Sequence, residues 1–293
     1  MEPVDYRSHE DAAAEGAHPP ALSVVIPAYK EAARLSRTLQ ATIAYLERRK
    51  QSYEILVVDD GSPDGTAATA QRWADTPTAG LGRLRILRYE QNRGKGYAVR
   101  YGVLRAEGDR ILFMDADLAT PIEEIEKLEA ALQGGGAQFA IGSRPLRASQ
   151  LLVRQPWYRE AAGRGFNKVV QLLATPGIQD TQCGFKLLPR DAAREIFSRC
   201  QFDGFSFDVE ALFLARRLGF VIAEVPVRWA HQEGAAAFAT KGAYLRQGLK
   251  MLRDLFQIRW MHRAVHPGLA SLSSSPTLAS VAAGSTYPRP PVA

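Results

Sequence analysis

The stretch Ile111-Leu-Phe-Met-Asp-Ala-Asp-Leu-Ala-Thr120 decides how the rest of the chain is interpreted. Its four leading apolar residues run without interruption, which is typical of a strand buried on both faces of a parallel sheet. Two carboxylates, Asp115 and Asp117, follow at once. Residues two apart in extended backbone point to the same side, so both carboxylates are predicted at the carboxyl end of this strand, where open α/β sheets bind their ligands.

The two aspartates predict a metal site. Carboxylates held this close repel each other unless a positive charge lies between them. A hard divalent cation, shared with phosphate oxygens of a substrate, provides that charge. Asp115 and Asp117 are therefore the predicted ligands of Mg²⁺ or Mn²⁺. The alternative is a solvated loop whose aspartates cap the next helix, because a single Asp-x-Asp sequence is common.

Composition limits the class of protein. The 293 residues, 46% of them hydrophobic, suit one large α/β domain with appendages or two small domains. The formal net charge of +6, concentrated in residues 144–168 and 241–263, suits an anionic partner such as nucleotide phosphates or an anionic membrane surface. Two cysteines without metal-type spacing favour a reduced cytosolic compartment. The polar N-terminus does not resemble a signal peptide, and no apolar run of about 18 residues predicts a membrane span.

Strands and helices are predicted to alternate along the chain. Buried strands are predicted at 22–28, 53–58, 84–89, 138–142 and 220–227, and helices at 31–50, 97–107, 121–134, 189–199 and 207–218. This rhythm predicts βαβ units and a doubly wound, mostly parallel sheet flanked by helices. The loop Asn92-Arg-Gly-Lys-Gly96 could approach an anion closely, although a lysine in such a loop is more often simply solvated.

The two ends of the chain differ from its middle. Residues 1–20 are small, polar and charged, and residues 265–293 are rich in Ser, Ala, Gly and Pro, so both are predicted to be disordered. The main domain is predicted at 21–240. A helix at 241–264 mixes leucines with lysines and arginines. Such an amphipathic helix either docks on its own domain or lies in a membrane interface.

Several motifs in this order resemble glycosyltransferase family 2, whose members have the GT-A fold, over residues 22–263. They are Ser23-Val-Val-Ile-Pro-Ala-Tyr-Lys-Glu31, Val57-Val-Asp-Asp-Gly-Ser62 and Asp115-Ala-Asp117. Within the family the chain is similar to dolichyl-phosphate and polyprenyl-phosphate β-glucosyltransferases, with dolichyl-phosphate mannose synthases as near relatives. The segments that carry this likeness are 92–96, 141–144, 163–167, 180–186 and 207–210.

The chain departs from the family pattern at two places. These relatives usually have a Gly-Ser-Lys-like segment where this chain has Gln232-Glu-Gly-Ala-Ala-Ala237. The expected lysine is absent unless Lys241 takes its place, which leaves the loop closing over donor or acceptor, and the level of activity, open. Ala119 stands where mannose synthases have a glutamine, and an alanine fits the glucosyl branch better.

The resemblance implies a metal-dependent enzyme that moves a hexose from a nucleotide sugar to a lipid phosphate. UDP-glucose is the favoured donor and GDP-mannose the alternative, and the acceptor would be polyprenyl or dolichyl phosphate at the cytoplasmic face of a membrane, where the protein would be peripherally bound. The residues implied at the donor and its metal are Pro27, Tyr29, Glu31, Val58, Asp60, Lys95, Asp115, Ala116, Asp117 and Lys186. For Glu31, a charge that complements a helix dipole is an equal alternative.

The acceptor decides which other residues are needed. Arg144 and Arg164 match the family's acceptor-phosphate arginines, and a guanidinium binds phosphate in a bidentate fork. A lipid phosphate is largely ionised at pH 7 because its second pKa is about 6, so Asp208 and Glu210 would only orient it or cap a helix. A sugar hydroxyl would need one of these two carboxylates as a general base.

Two further classes of protein are weighed against an enzyme of this kind. The departure at residues 232–237 suggests a silent nucleotide-sugar-binding protein, which the intact Asp115-Ala-Asp117 motif argues against. A nucleic-acid binder is suggested only by the basic charge. The basic residues lie beside leucines, so no nucleic-acid partner is expected.

Overall fold

The computed structural model describes residues 19–76, 81–134, 136–153, 167–232 and 241–266. Its strands are β1 (Leu22–Ala28), β2 (Tyr53–Asp60), β3 (Gly82–Tyr89), β4 (Arg110–Met114), β5 (Phe139–Ser143), β6 (Gln150–Val153), β7 (Phe185–Pro189), β8 (Ile222–Pro226) and β9 (Arg228–Ala230). Its helices are α1 (Leu35–Arg49), α2 (Thr66–Ala74), α3 (Lys95–Val103), α4 (Ile125–Gly134), α5 (described over 167–173), α6 (Arg190–Phe197), α7 (Phe207–Arg217) and α8 (Lys241–Met261).

Seven strands form the central sheet in the order β3-β2-β1-β4-β7-β5-β8. Every neighbouring pair is parallel except the two that β7 makes with β4 and β5. The predicted doubly wound, mostly parallel sheet flanked by helices is therefore confirmed. β7 inserts in the opposite direction, so that Phe185, its first residue, lies opposite Met114, the last residue of β4.

The core lies on both faces of this sheet. On β1, Val25 packs into one apolar cluster, while Val24 and Ile26 pack into the cluster on the other face. All three are fully buried. A strand covered by helices on both sides needs apolar residues at every position, which explains the uninterrupted apolar runs that predicted β1, β2 and β4.

Helix α8 docks on the domain through one of its faces. Leu255 and Ile258 are buried against Val209 and Phe213 of α7 and its surroundings. The opposite face exposes Phe256 and Trp260, which are 62% and 66% accessible. Among the described residues, no helix has the length and apolar content that a membrane span requires.

Some details differ from the sequence-based predictions. The strand predicted at 220–227 is two strands, β8 and β9, separated at Val227, and β9 leaves the main sheet to pair in parallel with β6. The short β6–β9 sheet was not predicted. Most of the predicted disordered ends, residues 154–166 with Arg164, and residues 233–237 lie outside the described residues.

Candidate active site

The carboxyl edge of the sheet gathers the residues that follow β1, β2, β4 and β5. Because β7 runs the other way, Gly184, which directly precedes it, comes to the same edge, and the Gly184 carbonyl accepts a hydrogen bond from the Asp115 backbone N–H at 3.0 Å. A Cβ atom on Gly184 would lie 2.2 Å from the Asp115 carboxylate. Only glycine at this position leaves Asp115 its place.

Asp115 and Asp117 lie in a tight turn after β4. Leu118 has a left-handed φ of 55°, and the Ala119 N–H donates to Asp117 Oδ1 at 3.0 Å. The carbonyl of the buried Ala116 accepts the Thr38 hydroxyl at 2.6 Å, which ties this turn to α1. Three hydrogen bonds, with Gly184, Ala119 and Thr38, therefore hold the turn in place, as a pair of metal ligands requires.

Lys95 forms the ion pair with Asp115. Its Nζ lies 2.6 Å from Asp115 Oδ1. Burial lowers the pKa of Lys95, but the charges of Asp115 and Asp208 raise it further, so the net pKa is above the ordinary value. For Asp117, burial and then the charge of Asp115 raise the pKa in spite of Lys95. One lysine therefore does not balance the two aspartates.

These two carboxylates fit a hard divalent ion. Carboxylate oxygens are the ligands that Mg²⁺ and Mn²⁺ prefer, and burial together with the charge of Asp115 raises the pKa of Asp117, which a bound cation would oppose. In the part of the chain that the structure describes, no group of three or more acidic, histidine or cysteine side chains could hold an ion alone. The remaining ligands would have to be substrate oxygens and water.

The residues that follow β1 lie close to the turn that carries Asp115 and Asp117. Tyr29 is 37% exposed, and Glu31 forms a double hydrogen bond with Arg34, both at 2.8 Å. Burial raises the pKa of Glu31 above its ordinary value although Arg34 opposes this, and Asp117 and Asp115 add to the rise. Pro27 and Val58 are buried within the sheet, so their side chains contribute shape rather than an exposed contact.

Asp60 holds the loop that carries Lys95. Its Oδ1 accepts the Arg93 N–H at 2.7 Å, and its Oδ2 accepts the Gly94 N–H and the Asn92 side-chain amide, both at 2.9 Å. Gly94 has φ of 102°, a conformation that favours glycine. Both oxygens of Asp60 are thus used to fix the start of α3, which favours a positioning role for this carboxylate.

Lys186 and Asp208 form a buried ion pair beneath the edge. Lys186 is fully buried, with Nζ 2.5 Å from Asp208 Oδ1 and 2.6 Å from the Cys183 carbonyl. Burial raises the pKa of Asp208, and the charges of Lys186 and Lys95 oppose that rise. An enclosed ammonium with two partners favours a structural role for Lys186, in place of the direct donor contact that the resemblance implies.

Glu210 is also fully buried. Its carboxylate accepts the backbone N–H groups of Gln201 and Phe202 at 2.9 Å, and it lies 2.8 Å from Nε2 of His262, just beyond α8. These contacts join α7, the loop before it and the end of α8. The geometry favours the structural alternative for Glu210 over the role of general base.

Arg144 follows β5 and is gripped by Asp180. Its Nε and Nη2 donate to the two Asp180 oxygens at 2.6 and 2.8 Å, and its backbone N–H donates at 3.0 Å. Trp229 of β9 lies with its ring centre 5.4 Å from the guanidinium carbon. Neither contact could be predicted from the sequence, because both partners come from distant segments. Arg164 lies outside the described residues.

The chain is similar to known proteins over most of its length. Residues 23–197 match the family model described as glycosyl transferase family 2. The dolichyl-phosphate beta-glucosyltransferase of Drosophila melanogaster is 39% identical over 254 residues, which cover 83% of this chain and 76% of that protein. The protein of the same name from Mus musculus is 40% identical over 248 residues, covering 81% and 74% of the two chains.

Solved structures show the same fold at lower identity. Mannosyl-3-phosphoglycerate synthase from Rubrobacter xylanophilus aligns with a TM-score of 0.61 at 18% identity, covering 87% of this chain and 78% of that one. Glucosyl-3-phosphoglycerate synthase from Mycobacterium tuberculosis, in complex with Mn²⁺, UDP and glucosyl-3-phosphoglycerate, aligns with a TM-score of 0.57 at 19% identity, covering 85% and 82%. From the matched residues and the coverage of its relatives, this chain belongs to glycosyltransferase family 2 and is a glycosyltransferase with the GT-A fold.

Proposed function

We propose that this enzyme transfers glucose from UDP-glucose to a polyprenyl or dolichyl phosphate, with inversion at the anomeric carbon. The observation that carries the proposal is the arrangement of one sheet edge, which holds the Asp115–Asp117 pair, Lys95 and Arg144. The relatives named dolichyl-phosphate beta-glucosyltransferase, at 39% and 40% identity, support the choice of sugar and acceptor.

At the donor, Asp115 and Asp117 would hold Mg²⁺ or Mn²⁺. When bound, the ion neutralises the negative charge that develops on the leaving diphosphate. Lys95 brings a second positive charge to the same edge, held there by Asp115 and by the Asp60-anchored loop. Tyr29 and Glu31 follow β1 at this edge and would contact the nucleoside.

At the acceptor, the ionised phosphate is its own nucleophile. The two carboxylates that could serve as a base for a hydroxyl are both engaged in buried contacts, Asp208 with Lys186 and Glu210 with His262. This favours an acceptor that needs no base. Attack from the side opposite the diphosphate then gives a β-linked lipid phosphosugar.

One assay tests the substrates directly. The purified enzyme is incubated with Mn²⁺, polyprenyl phosphate and either labelled UDP-glucose or labelled GDP-mannose, and the organic phase is counted. We expect label from UDP-glucose in the lipid, and its loss when EDTA is added. Transfer from GDP-mannose alone would replace glucose by mannose, and label found only in water-soluble products would refute the lipid acceptor.

A pair of variants separates the two acceptor classes. Arg144→Ala should raise the acceptor KM and lower kcat by tenfold or more, because it removes a charge-assisted phosphate contact. Glu210→Gln should lower the melting temperature, because buried donors lose their partner at about 1–3 kcal/mol, while kcat stays within a few-fold. A collapse of kcat in Glu210→Gln or Asp208→Asn beside a mild Arg144→Ala would instead identify a general base and a hydroxyl acceptor.

We also propose peripheral attachment at the cytoplasmic face of a membrane. Helix α8 exposes Phe256 and Trp260, and α5, whose Leu173 carbonyl accepts a hydrogen bond from Arg259 of α8, exposes 80% of Leu172. Lys250, Arg253, Arg259 and Arg263 are exposed on the same helix and just beyond it. Aromatic and leucine side chains next to basic residues are typical of helices that lie in an anionic membrane interface.

Liposome flotation tests this attachment. Binding to anionic vesicles should weaken as salt rises, since each basic residue at the surface contributes about 1 kcal/mol. The double variant Phe256→Ser with Trp260→Ser should bind at least tenfold more weakly. Val221→Ser removes a side chain of similar exposure, 53%, at the start of β8, and should bind like the parent. Equal binding by all three proteins, or none by the parent, would refute the proposal.

A further inference from the structure

The guanidinium of Arg144 is already occupied along one edge. Asp180 accepts from Nε at 2.6 Å, from Nη2 at 2.8 Å and from the Arg144 backbone N–H at 3.0 Å. The edge formed by Nε and Nη2 is the one that usually grips a phosphate in bidentate fashion. A phosphate that approaches Arg144 therefore meets Nη1 and the outer side of Nη2.

Asp180 is in turn held through its backbone by Glu224 on β8. Glu224 Oε1 accepts the Asp180 N–H at 2.7 Å, and its Oε2 accepts the Gln179 N–H at 2.8 Å. These donors belong to the loop that leads to β7. A carboxylate that accepts two adjacent backbone N–H groups fixes their peptide planes by charge-assisted hydrogen bonds.

Glu224 also contacts the segment that carries Arg144. Its Oε1 accepts the Ser143 hydroxyl at 2.7 Å, and Ser143 directly precedes Arg144. The register places Glu224 opposite Ile141 on the parallel strand β5, two residues before Ser143. One half-buried carboxylate thus joins the end of β5, which carries Arg144, to the loop that carries Asp180.

Glu224 is unusual for its place in the sequence. It stands in Ile222-Ala-Glu-Val-Pro226, where its neighbours in β8 are all apolar. A partly buried position in the middle of a strand is seldom given to a carboxylate unless it has partners. All three of its donors lie on the two segments that form the Arg144–Asp180 contact, and none of them belongs to the metal turn or to the β1 and β2 ends.

We propose that Glu224 is a positioning residue for the acceptor phosphate: it holds Asp180 against Arg144, so that Arg144 presents Nη1 to the phosphate end-on. The inference rests on the proposed lipid-phosphate acceptor. It moves the phosphate fork expected from the sequence to the side of the guanidinium that carries Nη1, because Asp180 has taken the edge formed by Nε and Nη2. It also separates acceptor placement from donor and metal binding, which depend on Asp60, Lys95 and the aspartate pair.

Steady-state kinetics of Glu224→Ala and Glu224→Gln test this role. The alanine variant should raise the KM for polyprenyl phosphate about tenfold, while the KM for UDP-glucose stays within twofold. The glutamine variant should fall between this and the parent, since its oxygen can keep two donors while its NH₂ group opposes the third N–H. The conservative change therefore gives partial rescue.

Glu54→Gln is the matched control. Glu54 is fully buried and also accepts a serine hydroxyl, Ser23 Oγ at 2.5 Å, and a backbone N–H, that of Glu107 at 2.6 Å. It lies at the opposite edge of the same sheet. Glu54→Gln should lower the melting temperature without changing the acceptor KM, which separates positioning from a general loss of stability.

A second measurement does not depend on the acceptor. Modification of Arg144 by phenylglyoxal, mapped by mass spectrometry, should be several-fold faster in Glu224→Ala than in the parent and unchanged in Glu54→Gln. An unchanged Arg144 reactivity in Glu224→Ala overturns the inference whatever the acceptor is. If the parent transfers glucose to the lipid but Glu224→Ala keeps its acceptor KM, the positioning role fails and the proposed function stands. If the parent does not glycosylate any lipid phosphate, the proposed function fails and the reactivity of Arg144 alone decides whether Glu224 holds it.

Discussion

Buried carboxylates occur at both edges of the central sheet, and the two edges differ in how these charges are matched. At the amino edge, Glu54 is 3.0 Å from Arg83 and 3.2 Å from Arg85, and Glu129 is 2.6 Å from Arg110. At the carboxyl edge, Lys95 is the near cation of Asp115, and Asp117 keeps a raised pKa from burial and from Asp115. The first edge is balanced by the protein itself.

The difference supports the proposal that the carboxyl edge receives a charged ligand. Burial of an unbalanced carboxylate is unfavourable, so a fold that retains one has a use for it. At the carboxyl edge the missing positive charge would come from the metal ion. At the amino edge, added charge would only disturb a network that is already complete.

The largest expected effect is that of Asp117→Asn. This change removes one metal ligand's charge and should lower kcat roughly a thousandfold, since the ion's contribution amounts to several kcal/mol. The fold should be retained, because the change also relieves repulsion with Asp115. Label transfer to lipid and thermal melting would be measured together.

Glu129→Gln provides the comparison at the amino edge. Glu129 binds Arg110 and, at 2.8 Å, Arg49, so its loss should lower the melting temperature and leave kcat within a few-fold. If Asp117→Asn turned over normally with or without EDTA, the aspartates would be structural and the two edges would not differ in function.

Lys186→Met should have the next largest effect, this time on stability. Removing one member of a buried ion pair leaves Asp208 without its partner and should cost about 3–5 kcal/mol of unfolding free energy. Adding Asp208→Asn should recover most of this loss. Denaturant unfolding of the single and double variants measures both values.

Arg83→Met is the corresponding change at the amino edge. The Arg83 side chain is 43% exposed, and Glu54 keeps Arg85 when it is lost, so the cost should be about 1 kcal/mol or less. A loss of unfolding free energy as large as that of Lys186→Met would mean that Arg85 alone does not stabilise Glu54, and that the two edges do not differ in this way.

The smallest effect is a pair of opposite pH dependences. Burial, and then the charge of Asp115, raises the pKa of Asp117. Ionisation of Asp117 therefore destabilises the fold. Compared with the parent, Asp117→Asn should become increasingly more stable as pH rises through that raised pKa. Burial opposes ionisation of Glu107 as well, but hydrogen bonds and charge from Arg83 lower its pKa overall. Glu107→Gln should therefore show a deficit that is present above the unfolded pKa and disappears as pH falls through the folded one.

Melting curves between pH 3 and pH 8 for the parent and both variants would show these slopes, taken over the range in which carboxylates titrate. Glu107 is half exposed, so solvent screening should keep its slope shallow. Slopes of the same sign in both variants would contradict the difference between the edges.

The sequence predicted the features that depend on local pattern. Uninterrupted apolar runs located β1, β2, β4 and β5, and the spacing of Asp115 and Asp117 placed both in the turn after β4. These succeed because a strand covered on both faces leaves its signature in consecutive residues. The helix predicted at 241–264 rests on a different local pattern, the spacing of its leucines, and the structure has a helix at Lys241–Met261.

The features that were missed depend on contacts between distant segments. No local signal orders the strands, so the antiparallel insertion of β7 and the β6–β9 pair could not be foreseen. Lys186 was assigned to the donor because it lies in a motif, whereas the fold encloses it with Asp208. Glu224 was passed over, although a carboxylate inside an apolar strand is a signal that could have found it.

The reversed strand also has a consequence for how the protein folds during synthesis. β1 to β4 pair with one another within the first 114 residues, but β5, at 139–143, has partners only in β7 and β8, which are made later. The edge of β4 that pairs with β7 therefore stays unpaired until residues 185–189 are made. An unpaired strand edge can pair with other chains. Gly184 arrives with that strand, so the step that joins β5 and β8 to the first four strands is also the step that gives the Asp115 N–H its acceptor.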